Sequence, residues 1–132
     1  MKVIPDTPIW SQVLRREKPN LSISNTMTHL IKDELVFLAG IIKQELLSGI
    51  RIEKQFNTLA SHLQPFPELL ASTEDHFIAA EFYNKCQRSG IQGSHVDFLI
   101  LALAKHHSAK ILTTDKDFQK YRTVIDFELE LV

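Results

Sequence analysis

The sequence predicts an α/β fold with a mostly parallel sheet. Short apolar runs alternate with helical patterns that begin at capping residues and stop at glycine or proline. The 4 glycines and 5 prolines are too few for a turn-rich all-β sandwich. Parallel strands need crossover connections, which put helices on both faces of the sheet. With 132 residues, 44% hydrophobic and 23% charged, one domain over residues 1–132 with a sizeable core is expected.

The first element is a strand over Met1 to Ile4, stopped by Pro5. Thr7 offers a capping hydroxyl and Pro8 suits the first helical position. A short helix through Ile9, Trp10, Val13 and Leu14 follows and ends in Arg15, Arg16, Glu17 and Lys18, before Pro19. Ser24 or Asn25 caps a second helix that reaches Asp33 or Glu34. Leu35 to Leu38 is a second strand, bounded by Gly40. Ile41 to Ser48 is helical with Gly49 as its stop, and Arg51 to Leu63 is a further amphipathic helix ended by Pro65 and Pro67. Ser72-Thr73-Glu74-Asp75 reads as a capping box for a helix to Arg88, stopped at Gly90. Ser94-His95-Val96-Asp97 repeats that pattern. The segment behind it, Phe98 to Ala104, is apolar on nearly every face, as in a helix buried all round. Lys110 to Thr113 is a third strand and Lys116 to Tyr121 a short helix; Val124 to Val132 alternates as one or two terminal strands.

The net charge of −1, from 15 basic and 16 acidic residues, announces no nucleic acid globally; local distribution decides the field. A near-neutral surface tolerates association with a partner or a second copy. The one cysteine, Cys86, excludes an internal disulfide framework and fits a reducing compartment. No apolar run reaches the ~18 residues of a membrane span. The opening MKVIPDTPIW meets Pro5 and Asp6 too early for a signal peptide, so a cytoplasmic protein with no membrane partner is the expectation. No G-x-G-x-x-G or G-K-[ST] motif supports nucleotide cradling.

In parallel sheets the working crevice lies beyond the carboxyl ends of the strands. Asp6 follows the first strand and Asp115 the third; Glu45 stands one helical turn after the second, and Asp97 opens the buried helix. Carboxylates brought together raise one another's pKa and call for a compensating cation, and Mg²⁺ or Mn²⁺ favours such oxygen ligands. A cation held there polarises a phosphoryl oxygen and activates water, which points to phosphodiester hydrolysis. Each acid also has a plain structural reading. Asp97 and Asp117 suit capping boxes behind Ser94 and Thr114, Asp6 and Asp115 suit turns, and Glu45 suits a solvated pair with Lys43 or Arg51.

The same residues resemble the PIN-domain ribonucleases of the VapC toxin type. Asp6-Thr7 with Trp10 resembles their opening, and Glu45 in KQELLSG resembles their central acidic motif. Gly93-Ser94-His95-Val96-Asp97 followed by FLILALAKHHSAKILTTDKDF resembles their C-terminal signature; the likeness spans residues 1–121. It implies a PIN-like three-layer α/β/α sandwich and an endoribonuclease that uses Mg²⁺ or Mn²⁺. It also implies a homodimer and a cognate antitoxin as partners. Carried over by residue, Asp6, Glu45, Asp97 and Asp115 form the catalytic set. Asp6, Asp97 and Asp115 are then the metal ligands, and Glu45 a ligand or the group that orients water. Thr113 matches the family's hydroxyl residue and Asp117 a frequent extra acid. Pro5 stands where an aliphatic residue is usual and Pro8 where Ser or Asn is usual. A second reading therefore keeps the fold but weakens the site, leaving a module that acts through protein or RNA binding. A phosphatase or DNA nuclease would use the same acids.

For RNA phosphate contacts the candidates are Arg15, Arg16, Lys43 and Lys116, with Lys18, Arg51 and Lys120 beside them. Arg15 and Arg16 end the helix that begins beside Asp6, Lys43 is two residues from Glu45, and Lys116 follows Asp115. His95, His106 and His107 read as helix-end residues, and Trp10, Phe37 and Phe98 as core.

Overall fold

A computed structural model describes residues 1–14, 18 and 20–132. Along the chain run β1 (Val3–Pro5), α1 (Thr7–Leu14), α2 (Leu21–Lys32), β2 (Leu38–Ala39), α3 (Gly40–Leu47) and α4 (Glu53–Leu63). There follow β3 (Glu68–Leu69), α5 (Thr73–Arg88), α6 (His95–His106), β4 (Lys110–Thr113), α7 (Asp117–Arg122) and β5 (Glu128–Leu131). β1, β4 and β5 pair in that order, β2 pairs with β3, and a bridge from Val3 to Val36 joins the two groups; every pairing is parallel. The lateral order is thus β3-β2-β1-β4-β5. The chain winds away from β1 on one side and returns to its other side with β4, so a topological switch point lies between β1 and β4.

The helices pack in two groups, α1 with α2 and α3, which also holds α4, and α5 with α6; β4 touches both α1 and α6. This is the expected α/β/α sandwich. α6 is buried along Phe98 and Ile100 to Ala104, and it meets Ile111 and Leu112 of β4 in one core with Ile4 and Trp10. Each such aliphatic or aromatic side chain contributes about 1.5–3 kcal/mol through removal from water. Among the described residues no helix is long and apolar enough to cross a membrane.

Several boundaries differ from expectation for local physical reasons. Pro5 does not stop β1 but closes it. Val3 bonds to Leu35 and Phe37 on the β2 side, so by alternation Pro5 faces that side too, where the bridge has already ended. No ladder donor is lost there, and the Pro5 carbonyl accepts the Trp10 indole N–H at 3.0 Å. Asp6, not Thr7, precedes the first helical turn: its carbonyl accepts the N–H groups of Ile9 and Trp10. Asn20 rather than Ser24 or Asn25 caps α2, its side chain accepting from the Ile23 N–H at 3.1 Å. Ser24 and Asn25 lie inside the helix. The second strand shrinks to Leu38–Ala39 with Val36 as a bridge, Gly40 opens α3, and α4 starts at Glu53. β3 is unforeseen because two residues leave no periodicity to read. The terminal segment forms one strand, β5. The end expected for α1, over Arg15 to Glu17, lies outside the described residues.

Candidate functional site

The switch point gathers the acids. Asp6 leaves β1 with its N–H donating to the Leu112 carbonyl of β4 at 2.8 Å. Its carboxylate accepts the Thr113 hydroxyl at 2.9 Å; that hydroxyl accepts the Asp115 N–H at 3.0 Å, and Asp115 in turn accepts the Asp117 N–H at 2.9 Å. Thr113, fully buried at the end of β4, therefore couples the carboxyl ends of the two central strands. The Thr114 cap expected for Asp117 does not form: α7 starts after Lys116 with no side-chain cap, and Asp115 does that work as a turn residue.

Asp97 arrives from a third direction, in the first turn of α6. Ser94 accepts its N–H at 3.0 Å, but the reciprocal bond of a full capping box is absent. The carboxylate instead accepts the Tyr121 hydroxyl at 2.7 Å. Burial raises the Asp97 carboxyl above its usual range; the Tyr121 bond opposes this, and the negative charges of Asp115 and Asp117 add to it. Asp6 behaves alike. Burial pushes it up to about 6, against the Thr113 hydroxyl and the Thr7 N–H, with help from the charges of Asp97 and Asp115. The three expected metal ligands thus lie within one another's field, with Asp117 at the margin.

Glu45 is exposed on α3 and is tied to this region through Thr7, whose hydroxyl donates to it at 3.0 Å. It does not enter the charge field that raises Asp6 and Asp97. Among the described residues no three His, Cys, Asp or Glu side chains stand close enough to ligate one ion together. The donor set is nevertheless one a hard cation takes: carboxylate and hydroxyl oxygens only, and no ion pair to Asp6, Glu45, Asp97 or Asp115 among the described residues. Mg²⁺ keeps several waters and is held through one or two carboxylates, so it does not require all the acids at contact.

Of the phosphate-contact candidates, Lys43 pairs with Glu68 at 3.4 Å and Lys120 with Asp117 at 3.5 Å, while Lys116 is exposed beside Asp115. Arg15 and Arg16 lie outside the described residues. Trp10 and Phe98 are core, as read; Phe37 is half-buried beneath Lys2. His106 is not merely a solvated helix end, because its Nδ1 lies 2.9 Å from the buried Asp75 carboxylate. Sequence reasoning missed Thr7 as the partner of Glu45 and Tyr121 as the partner of Asp97. Tyr121 left one usable signal: a phenol at the core-facing spacing of a short helix must bring its hydroxyl to a partner.

The sequence matches the PIN domain family over residues 3–124. Comparison with curated proteins gives no match. Among solved structures the chain is similar to one in FitAcB from Neisseria gonorrhoeae, with 25% identity, a TM-score of 0.79, and 96% of this chain and 95% of that one covered. It is also similar in fold to a chain of VapBC2 from Rickettsia felis, with 19% identity, a TM-score of 0.82 and coverage of 100% and 99%. A chain of VapBC-1 from nontypeable Haemophilus influenzae aligns with 17% identity, a TM-score of 0.79 and coverage of 99% and 98%.

Proposed function

Because the chain belongs to the PIN-domain family, we propose that it is a metal-dependent endoribonuclease and the toxin of a VapBC-type toxin–antitoxin pair. The observation that carries this reading is the convergence of Asp6, Asp97 and Asp115 at the switch point of the sheet, where Thr113 ties the ends of β1 and β4 together and burial with Asp115 nearby raises the Asp6 and Asp97 carboxyls. Charge gathered at such cost calls for a cation. Asp6, Asp97 and Asp115 would hold Mg²⁺ or Mn²⁺, and Glu45 would orient water at the rim. When bound, the ion supplies Lewis acidity toward a phosphodiester oxygen and lowers the pKa of water.

The chain's own part is positioning. The Thr113 hydroxyl fixes one Asp6 oxygen and, through its bond from the Asp115 N–H, sets the turn that carries Asp115. The Thr7 hydroxyl holds Glu45 toward the start of α1, next to Asp6. Lys116 supplies positive charge for a substrate phosphate, which positions without selecting sequence. An antitoxin partner is supported by the VapBC and FitAcB complexes to which the chain is similar; a homodimer rests on the family resemblance.

The test is cleavage of total RNA by the purified, antitoxin-free protein with Mg²⁺, Mn²⁺ or EDTA. Discrete fragments that require the metal and disappear in Asp97→Asn are expected. Metal-independent cleavage, or cleavage that survives the substitution, defeats the reading. Pro8, standing where Ser or Asn is usual beside Asp6, is the ground for a second reading, a weakened module acting through protein or RNA binding. A folded protein that binds RNA with metal present and leaves it intact would establish that one.

A further inference from the structure

Tyr121 and Gly93 form one device around Asp97. Tyr121 is buried at 1% exposure in α7, with its ring held between Phe98 at 5.0 Å and Phe118 at 5.3 Å between centroids. The ring is fixed by packing, so its hydroxyl has one place to go, and there it meets Asp97 Oδ2. Gly93 lies against the same hydroxyl. A Cβ at this position would stand 2.7 Å from the Tyr121 oxygen and 2.8 Å from two Phe98 ring carbons. The glycine is needed for space; its backbone is not in the left-handed region that otherwise selects glycine. The missing Cβ of Gly93 therefore leaves room for the Tyr121 oxygen and the Phe98 ring edge together.

We propose that Tyr121 is a positioning residue of the site, aligning the Asp97 carboxylate for a divalent cation, with Gly93 providing its room. This rests on the metal-site reading above and names a residue that acts through Asp97. Fixing Oδ2 sets the carboxylate plane, and with it the direction of Oδ1. In Ser72-Asp75 the reciprocal backbone bond sets that plane; Asp97 lacks this bond and takes its orientation from Tyr121. Partners that orient ligating groups in this way typically govern metal affinity by ~10–100-fold.

The experiment is a Mn²⁺ titration of the RNA-free protein, counting free Mn²⁺ by electron paramagnetic resonance, on wild type, Asp97→Asn and Tyr121→Phe. Tyr121→Phe keeps the ring and so the packing, which a thermal melt verifies. The expected result is loss of binding in Asp97→Asn and an affinity lowered about 10-fold in Tyr121→Phe. Gly93→Ala, if folded, should follow Tyr121→Phe. A folded Tyr121→Phe with wild-type Mn²⁺ affinity, beside an Asp97→Asn that has lost it, overturns the positioning role and leaves the metal site standing. Wild-type Mn²⁺ binding in Asp97→Asn overturns both.

Discussion

Two Ser-x-x-Asp segments open the two helices that pack together, α5 and α6, and they end differently. At Ser72–Asp75 the box closes: Ser72 accepts the Asp75 N–H at 3.1 Å and Asp75 accepts the Ser72 N–H at 2.8 Å. Asp75 is 1% exposed, and His106 caps its other oxygen. Burial raises its carboxyl, but the Ser72 N–H, the Ser72 hydroxyl and His106 together outweigh burial and leave it below its usual range. At Ser94–Asp97 the box stays half open, the acids of the switch point stand near, and the carboxyl is raised. One carboxylate is satisfied and stabilises the fold. The other is buried without full compensation and with like charges near it, which a fold retains where something else is to bind. The difference lies in the reciprocal Ser72 N–H and the His106 imidazole that satisfy Asp75, where Asp97 has one phenol hydroxyl and carboxylates nearby.

The largest expected effect comes from removing each charge in turn. Asp97→Asn should lower metal-dependent RNA cleavage by at least ~100-fold while leaving thermal stability equal or higher, because a charge disfavoured by burial, and secondarily by Asp115 and Asp117, is removed. Asp75→Asn should leave cleavage unchanged below its melting temperature. It should lose about 2–3 kcal/mol of stability as the reciprocal cap and the His106 pair weaken. Parallel melts and cleavage assays decide, and similar behaviour of the two variants would dissolve the distinction.

The two regions should also titrate with opposite sign. The rise of Asp6 from 3.8 to about 6 penalises the ionised native state by about 3 kcal/mol. That penalty is fully present above about pH 6. It is relieved as pH falls toward 4, where the native state takes up a proton and the unfolded chain does not. Asp97 pulls the same way. Asp75, with its pKa lowered, contributes stability that is present above its unfolded value and lost as pH falls below it. From these carboxylates metal-free protein should gain stability as pH falls from about 6 toward 4 and lose it in stronger acid, by denaturant melts across pH, while His107, whose pKa burial lowers, opposes the gain. Asp6→Asn should flatten the neutral side of that curve and Asp75→Asn the acid side. Mg²⁺ at 100 times its Kd should restore about 2.7 kcal/mol at neutral pH and little near pH 5, where Asp6 is protonated.

Much of this is legible in the sequence alone. The Lys110–Thr113 strand, the Ser72 box and the buried α6 follow from periodicity and capping chemistry, which are local. The placement of Asp6 beside Asp115 also followed, since the carboxyl ends of parallel strands share one rim. What did not follow depends on contacts far apart in sequence. The Thr113–Asp6 bond spans 107 positions and the Thr7–Glu45 bond 38. Nothing local distinguishes Asp75 from Asp97, because His106 and Tyr121 reach them across 31 and 24 positions. The early start of α2 was missed for a different reason: Ser24 and Asn25 cap well, but Asn20, ahead of Leu21, fills the same role one turn earlier.

The smallest effect isolates the half of the box that the two segments share. Both serine hydroxyls accept an N–H of the first turn at nearly equal length, 3.1 Å at Ser72 and 3.0 Å at Ser94. If the cap acts alone, Ser72→Ala and Ser94→Ala should each cost about 1 kcal/mol, measured by urea unfolding with unchanged slope. If closing the box makes its two bonds cooperative, Ser72→Ala should cost clearly more, because its loss also loosens Asp75 from His106. Cleavage adds a second readout. Ser94→Ala removes a hydroxyl that lowers the Asp97 pKa, so it should weaken Mn²⁺-dependent cleavage modestly, whereas Ser72→Ala should not. Equal stability costs with unequal cleavage would mean that the motif contributes the same cap in both places and that only its surroundings turn one aspartate toward the site.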